Sequence, residues 1–297
     1  MKTKLVLLAA SFVLNHAALA QTTSTSVTTS PASAEATNAG TNISVANDSS
    51  STASKAVRPG VKYLGIMHGP GMTFSGAHQA DGTDLLVDNR FKLLARIGAN
   101  TEVGFEPRIN TAFGNGHKID AAAGAMRLFA NFKHVYKDDI FDLTLTPRAV
   151  LPTRVKFHNE HGTVSPDLIA SLDIAPKNSR FSFNTGSEYI QYFHTAGANA
   201  AFYNGATTAV VAPWLEVDYQ MTEKSQFVVS YWPELVAQAR QGTPLHADSN
   251  EIDVGANYEF VKGWVVNPYV AIEAFDMKSN ARLDNMSANL LVVGTIL

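Results

Sequence analysis

Residues 251–260 read EIDVGANYEF, and polar or small residues alternate with apolar ones along the whole stretch. A period of two places the two sets on opposite faces of a β-strand. The polar face carries Glu251, Asp253 and Glu259, while the apolar face carries Ile252 and Val254 among others. This stretch therefore predicts a strand with one apolar face and one face in water.

The same alternation recurs along the chain from about residue 61 onward. Leu143, Leu145 and Val217, for example, each stand between two polar neighbours. Most of the runs reach the roughly 9–11 residues with which a tilted strand crosses a bilayer. About twelve runs are found, over residues 61–69, 85–98, 101–113, 119–135, 139–152, 166–175, 179–193, 207–221, 225–238, 250–260, 264–275 and 287–297.

The connections between these runs alternate in length. Short turns, such as residues 222–224 and 261–263, alternate with longer connections, such as residues 153–165 and 239–249. A soluble β-sandwich has no reason to keep its short turns at one end. An outer-membrane barrel does, because its periplasmic turns are short, its extracellular loops are longer and its strand number is even. We therefore predict an all-β fold, a closed antiparallel transmembrane β-barrel of about 12 strands over residues 59–297.

In these features the chain resembles the outer-membrane β-barrel proteins of Gram-negative bacteria, and it is porin-like in architecture. The resemblance rests on amphipathic strands, an export signal, the absence of cysteine and a strand that runs to the last residue. It implies two partners, the outer-membrane lipids and the barrel-assembly machinery. Such barrels usually end in an aromatic residue, whereas this sequence ends in Leu297.

Five prolines lie inside the predicted strands, and all take outward-facing positions. They are Pro107, Pro147, Pro213, Pro233 and Pro268. Proline has no N–H for a β-ladder and normally occupies edges or bulges. A closed barrel has no edges, so each proline should mark a bulge or a missing hydrogen bond.

The N-terminal residues predict export followed by a flexible tail. Residues 1–20 combine a basic start, an apolar run of about ten residues and the small-residue signal Ala18-Leu19-Ala20, which is typical of a cleaved signal peptide. Residues 21–58 consist almost entirely of Ser, Thr, Ala, Asn and Val, so they cannot bury enough apolar surface to fold. We expect a disordered tail there; a plug or a cell-wall contact is the alternative.

The composition excludes several classes of function. The 23 basic and 26 acidic residues give a formal net charge of -3, without the basic excess that is typical of nucleic-acid-binding domains. The absence of cysteine excludes disulfide scaffolds, thiolate zinc sites and cysteine nucleophiles. We therefore predict no nucleic-acid partner and no cofactor.

The inward positions carry charges of opposite sign on two arcs of the predicted barrel. A basic wall is formed by Arg90, Lys92, Arg96, Arg108, Arg127, Lys133 and Arg148, among which stand Asp88, Glu102, Glu106 and Asp142. An acidic wall is formed by Glu216, Asp218, Glu234, Glu251, Asp253, Glu259 and Glu273. Charged walls that face each other orient dipolar solutes and set ion selectivity. The pattern favours a narrow, charge-lined channel for ions or small polar solutes.

Two alternatives stay open from the sequence. In the first, the acids and bases pair across the lumen, and the closed barrel serves as an anchor or adhesin through its loops. In the second, the barrel is a hydrolase whose rim uses His68, His78, His158 or His161. The sequence contains neither G-x-S-x-G nor H-E-x-x-H, so we predict no catalytic residues and no metal site.

Overall fold

The computed structural model describes residues 59–71, 83–114, 119–154, 162–195, 206–238, 245–273 and 286–295, with few side-chain details in β1. The predicted signal peptide and tail lie outside these residues. All regular elements are strands: β1 (Pro59–Gly71), β2 (Thr83–Arg96), β3 (Thr101–Glu106), β4 (Arg108–Gly114), β5 (Ile119–Ala123), β6 (Arg127–Lys137), β7 (Phe141–Val150), β8 (Ser165–Ile174), β9 (Phe181–Gln191), β10 (Thr207–Thr222), β11 (Ser225–Gln238), β12 (His246–Val261), β13 (Trp264–Glu273) and β14 (Met286–Thr295). In the part of the chain described, no helix is long and apolar enough to cross a membrane.

The strands form one antiparallel sheet whose pairings return to their starting point. Leu64 of β1 lies opposite Val293 of β14 on one side and opposite Arg90 of β2 on the other. β2 pairs with both β3 and β4, which in turn pair with β6 and β5. Thus β3 and β4 are one broken course across the sheet, and β5 and β6 are the next. The fourteen elements make twelve courses, which confirms the predicted all-β barrel of about 12 strands.

The prolines explain where the ladders are interrupted. Pro107 separates β3 from β4. The β10–β11 ladder has no pairs between Val211 and Leu215, and by register Pro213 faces Pro233 inside this gap. The two missing N–H donors therefore fall at one place, so that a single interruption accommodates both residues.

Pro147 and Pro268 also lie beside interruptions of a single ladder. Pro147 lies opposite the step between Phe129 and Phe132 of β6, where no pairs form. Pro268 lies opposite a similar step that follows Gly255 in β12. Each proline keeps its register with the neighbour on its other side. Because an antiparallel residue points its N–H to one neighbour only, one gap per proline is sufficient.

The two faces of the strands differ as the sequence period predicts. Leu215 is 48% exposed, whereas the next residue, Glu216, is 6% exposed. Large apolar side chains lie exposed on strands from β2 to β12, among them Leu93, Ile109, Leu128, Phe132, Leu168, Leu215 and Phe227. Soluble monomers rarely expose so large an apolar surface.

Aromatic side chains concentrate at the end of the sheet that carries the short turns, here termed the short-turn end. Phe181, Phe227, Tyr258 and Phe260 are exposed there. The rings of Phe181 and Tyr219 lie 4.9 Å apart. At the opposite end, termed the long-loop end, Tyr189 and Phe193 are exposed. These two groups match the two girdles of aromatic residues that are typical of outer-membrane barrels.

Inside the barrel, Trp214 lies over a glycine of the neighbouring strand. Gly186 of β9 is directly opposite Trp214 in the ladder. A Cβ atom on Gly186 would come within 2.4 Å of the indole. Glycine at this position therefore allows a large ring to lie flat against the wall, which brings Trp214 into the lumen at mid-height.

Candidate functional site: the charged interior of the barrel

Four arginines lie side by side inside the barrel, on β2, β4, β6 and β7. Arg90 is opposite Arg108 in the β2–β4 ladder, and Arg127 and Arg148 follow on the next two courses. Arg90, Arg108 and Arg127 are buried, Arg127 with only 1% exposed, and the side chain of Arg148 is 8% exposed. Guanidinium groups stay charged in proteins, so four neighbouring arginines require nearby anions.

Carboxylates supply those anions within hydrogen-bonding distance. The Arg90 Nε lies 2.6 Å from Asp88 Oδ2, and the Arg108 Nε lies 2.7 Å from Glu106 Oε1. These partners are two residues away along the same face or the same course, so each arginine finds an anion on its own wall.

Two further carboxylates come from β8 and β9. The Arg148 Nε lies 2.7 Å from Asp167 Oδ2, and Arg148 also donates to Glu188. Arg127 lies between these acids and Glu106, at 3.5 Å from Asp167, 3.8 Å from Glu188 and 3.5 Å from Glu106. Glu188 is 0% exposed, so the side chains pack closely in this part of the lumen.

We term this group the arginine cluster. It comprises four arginines and four carboxylates: Arg90, Arg108, Arg127, Arg148, Asp88, Glu106, Asp167 and Glu188. Equal numbers of opposite charges offset much of the desolvation that burial imposes on each group. Removal of one member leaves a buried charge without its partner, which is far more costly than the loss of a surface ion pair.

The remaining basic residues of the predicted wall are paired near the short-turn end. Glu102 accepts hydrogen bonds from Lys133 at 2.7 Å and from Arg96 at 3.3 Å. Lys92 lies 3.7 Å from Glu106. All seven basic residues that the sequence assigns to this wall therefore have carboxylate partners in the structure.

Asp167 and Glu188 are the residues that the sequence interpretation missed. They lie on β8 and β9, where the sequence predicts strands at residues 166–175 and 179–193 without a firm register. The structure thereby corrects the picture of a basic wall that faces an acidic wall across the lumen. The arginines are neutralised on their own side, since Asp167 and Glu188 close the cluster. A firm period-two register on β8 and β9 was the only signal that could have found them.

The acidic wall has a different environment. Among the described residues, no ion pair involves Glu216, Asp218 or Asp253. The Oδ1 atoms of Asp218 and Asp253 are buried without a hydrogen-bond partner. Ser182 and Ser230 provide long contacts of 3.5 and 3.4 Å to the other oxygens of these two carboxylates. The sequence assigns these acids to the lumen, and no basic side chain among the described residues pairs with them.

The other predicted acids of this wall have separate surroundings. Glu259 accepts a hydrogen bond from the backbone N–H of Gly263 at 2.8 Å, so it stabilises the β12–β13 turn. Glu251 lies two residues from Asp253 on the same face of β12, and its backbone lies opposite that of Glu273. Glu234 lies on β11 opposite Ser249; the side chain of Glu273 lies outside the described residues.

A cavity of about 290 Å³ lies at the short-turn end of this wall. Glu216, Asp218 and Asn257 line its inner part, and the turn after β6 lines its mouth. Its lining contains one amine, Lys137, and six carboxylates: Asp138, Asp139, Asp142, Asp173, Glu216 and Asp218. We term it the acidic vestibule. A concave surface with this excess of acids concentrates cations, because low-dielectric walls focus the electric field.

Two tryptophans narrow the lumen above the acidic vestibule. The rings of Trp214 and Trp232 stack with their centroids 5.4 Å apart and their planes at 16°. The Trp214 indole N–H donates to Asn184 Oδ1. Trp232, Glu216 and Asp253 line one small cavity of about 30 Å³, which continues the polar surface toward the tryptophan pair.

Of the four histidines of the hydrolase alternative, His68 lies within the described residues. The structure places His68 within β1 and not in the first loop, and its backbone pairs with Leu86 and Asn289. His78, His158 and His161 lie outside the described residues. Within the described ranges, no three His, Cys, Asp or Glu side chains are grouped so that they could hold a metal ion.

No family model matches this chain, and no curated protein matches its sequence. Among solved structures it is similar to an outer-membrane channel from Pseudomonas putida F1, with a TM-score of 0.52 and 11% identity over 82% of this chain and 97% of that one.

Two porins are also similar in structure, at lower scores. The NanC porin has a TM-score of 0.45 and 8% identity over 80% of this chain and 100% of that one. The KdgM porin has a TM-score of 0.42 and 12% identity over 80% of this chain and 99% of that one. The likeness to the Pseudomonas channel shows the fold: this chain is an antiparallel β-barrel.

Proposed function

We propose that this protein is a narrow outer-membrane channel for ions or small polar solutes. The observation that carries the proposal is the acidic vestibule. This cavity of about 290 Å³ lies inside the barrel, opens at the short-turn end and is lined by charged side chains. A barrel built only to anchor loops has no need of unpaired carboxylates in its interior, because each such group costs free energy to bury.

The location in the outer membrane is part of the proposal. It is supported by the exposed apolar belt, by the aromatic residues at both ends and by the fold that this chain shares with an outer-membrane channel. Cleavage of the predicted signal peptide after residue 20, contact with outer-membrane lipids and insertion by the barrel-assembly machinery belong to the same proposal.

The path through the barrel runs on the acidic side. The arginine cluster fills the lumen next to β6–β9, since Arg127 and Glu188 have almost no exposed surface. The acidic vestibule and the tryptophan pair lie on β10–β12. We expect solutes to pass along this second arc, with Trp214 and Trp232 at the narrowest level.

Single-channel recording of the refolded protein in a planar lipid bilayer tests the proposal. We expect discrete conductance steps that are small relative to those of wide porins, because twelve strands leave little room beside the arginine cluster. A W232A variant should raise the unitary conductance, since it removes one ring of the stacked pair. Refolded, heat-modifiable barrels that never conduct would exclude the channel.

A closed barrel is the second candidate function, and the arginine cluster is the observation that favours it. Eight charged groups that form ion pairs with one another occupy the interior as a core would. In that case the long loops would carry the function, as in an anchor or adhesin. Absence of conductance in both the wild type and W232A would favour this candidate.

A further inference from the structure

The interior of the barrel holds carboxylates that no described side chain neutralises, and this asymmetry points to a ligand. Only 6% of the surface of Glu216 is exposed, and Glu216 makes no hydrogen bond or ion pair with any described residue. It lines both the acidic vestibule and the small cavity below the tryptophans. A buried carboxylate without a partner is costly, so its presence calls for a cation from solution.

Neutral oxygens around Glu216 also lack partners. The side-chain carbonyl oxygens of Asn257 and Asn267 are buried and accept no hydrogen bond. Asn257 lines the acidic vestibule and Asn267 lines the small cavity, so one oxygen of this kind is present in each. Carbonyl oxygens that replace a hydration shell are the ligands that ion pathways present to cations.

We infer that the acidic vestibule and the tryptophan pair form a binding and selectivity site for small monovalent cations. Glu216 and Asp218 supply the negative charge, and Asn257 supplies a neutral oxygen. The inference rests on the proposed function, because it names the class of solute that the channel prefers.

The arginine cluster strengthens this inference because its positive charges are paired and therefore do not repel a cation in the path. Its four arginines are matched by four carboxylates, so it adds no free positive charge to the path. At the mouth, Lys137 pairs with Asp142 at 3.2 Å and Lys177 pairs with Asp139 at 2.6 Å. The charge that a passing ion meets is therefore that of the remaining acids.

Reversal potentials in a tenfold KCl gradient give the first test. The wild type should prefer K⁺ to Cl⁻ at least threefold in permeability, and the double variant E216Q/D218N should lose most of that preference. Both substitutions keep side-chain size, and heat-modifiable gel migration reports whether the variant still folds. The matched control is E223Q, which removes an exposed acid in the adjacent β10–β11 turn outside the cavity. A preference that E223Q alters as much as E216Q/D218N, or an anion preference in the wild type, overturns the inference.

Tryptophan fluorescence gives a second test that does not depend on conductance. Thallous ion is a heavy monovalent cation of about the size of K⁺ that quenches indole, and iodide is an anionic quencher. A W264F background leaves only Trp214 and Trp232 to report, because the chain contains three tryptophans. Thallous ion should quench this pair several-fold more strongly than iodide, and E216Q should reduce that excess at least twofold. Equal quenching by both ions overturns the cation site even if the protein conducts.

The two tests separate failure of the channel from failure of the cation site. Refolded protein that shows thallous quenching but no conductance retains the cation site and rejects the channel. Protein that conducts without cation preference, and whose tryptophans do not discriminate between the two quenchers, retains the channel and rejects the cation site.

Discussion

The buried carboxylates of the arginine cluster are paired with arginines, whereas Glu216 in the acidic vestibule of the same barrel is paired with no described residue. In the cluster, every guanidinium has an anion within 4 Å, and side chains leave almost no accessible surface. In the vestibule, Glu216 is also buried but has no described partner, and it lines a cavity of about 290 Å³. The first arrangement serves stability, whereas the second holds a charge ready for a mobile ion. The difference shows that burial alone does not tell whether a lumenal charge is structural.

The largest expected effect comes from breaking the arginine cluster. The substitution R148M removes the nearer of the two arginines that pair with Asp167 and Glu188, and it leaves two buried carboxylates with Arg127 alone. We expect a loss of about 3–5 kcal/mol in the free energy of unfolding, the range for one broken buried ion pair. Urea unfolding in lipid vesicles measures it. The matched substitution E216Q should not destabilise the barrel; equal losses in R148M and E216Q would remove the distinction between the two regions.

The next effect separates the outer face from the lumen. L215R places a charge on the exposed apolar belt and should cost about 2–4 kcal/mol near the middle of the bilayer. S182R places the same charge in the acidic vestibule beside Asp218 and should cost much less. The same unfolding experiment compares the two variants. If S182R proves as costly as L215R, the assignment of the vestibule to the aqueous interior is wrong.

Salt should affect the two regions unequally. The K⁺ preference from the vestibule should fall severalfold between 0.1 M and 1 M KCl, because the screening length shrinks from about 10 Å to about 3 Å. The unfolding free energy that depends on Arg148 should change little over the same range, since buried pairs are weakly screened. Reversal potentials and unfolding curves at both concentrations measure this. A K⁺ preference that persists in 1 M KCl would place its origin outside the open vestibule.

The smallest effect concerns Asp138 at the mouth of the vestibule. Its carboxylate accepts a hydrogen bond from the Tyr136 hydroxyl at 2.7 Å and from the N–H groups of Phe141 and Ile140, each at 2.8 Å. These hydrogen bonds lower the pKa of Asp138 below its usual value, and the bond from Tyr136 contributes most.

A lowered pKa in the folded state makes the stabilisation complete above the pKa of the unfolded chain, and it is lost as the pH falls through the folded pKa. Acidification from neutral pH should therefore destabilise the wild type slightly more than D138N. Unfolding curves at neutral and acidic pH measure the difference, which should be small because the group is exposed. A larger acid sensitivity in D138N would contradict the assigned hydrogen bonds.

Much of the fold could be predicted from the sequence because strand period and turn length are local properties. The alternation around Glu251–Phe260 placed Val254 and Ile252 on one face and Asp253 on the other, and short and long connections gave the barrel. Twelve courses, strand bounds within a few residues and a break at Pro107 are confirmed by the structure.

The pairing of charges could not be predicted, because it depends on the stagger between neighbouring strands and not on any one strand. Arg127 and Glu188 are distant in sequence, and only the registers of β6 to β9 bring them to one level of the lumen. The sequence by itself determined that Arg148 and Glu216 point into the barrel. Only the tertiary structure decided that Arg148 contacts two carboxylates while Glu216 lines a cavity, because both surroundings are formed by side chains of other strands.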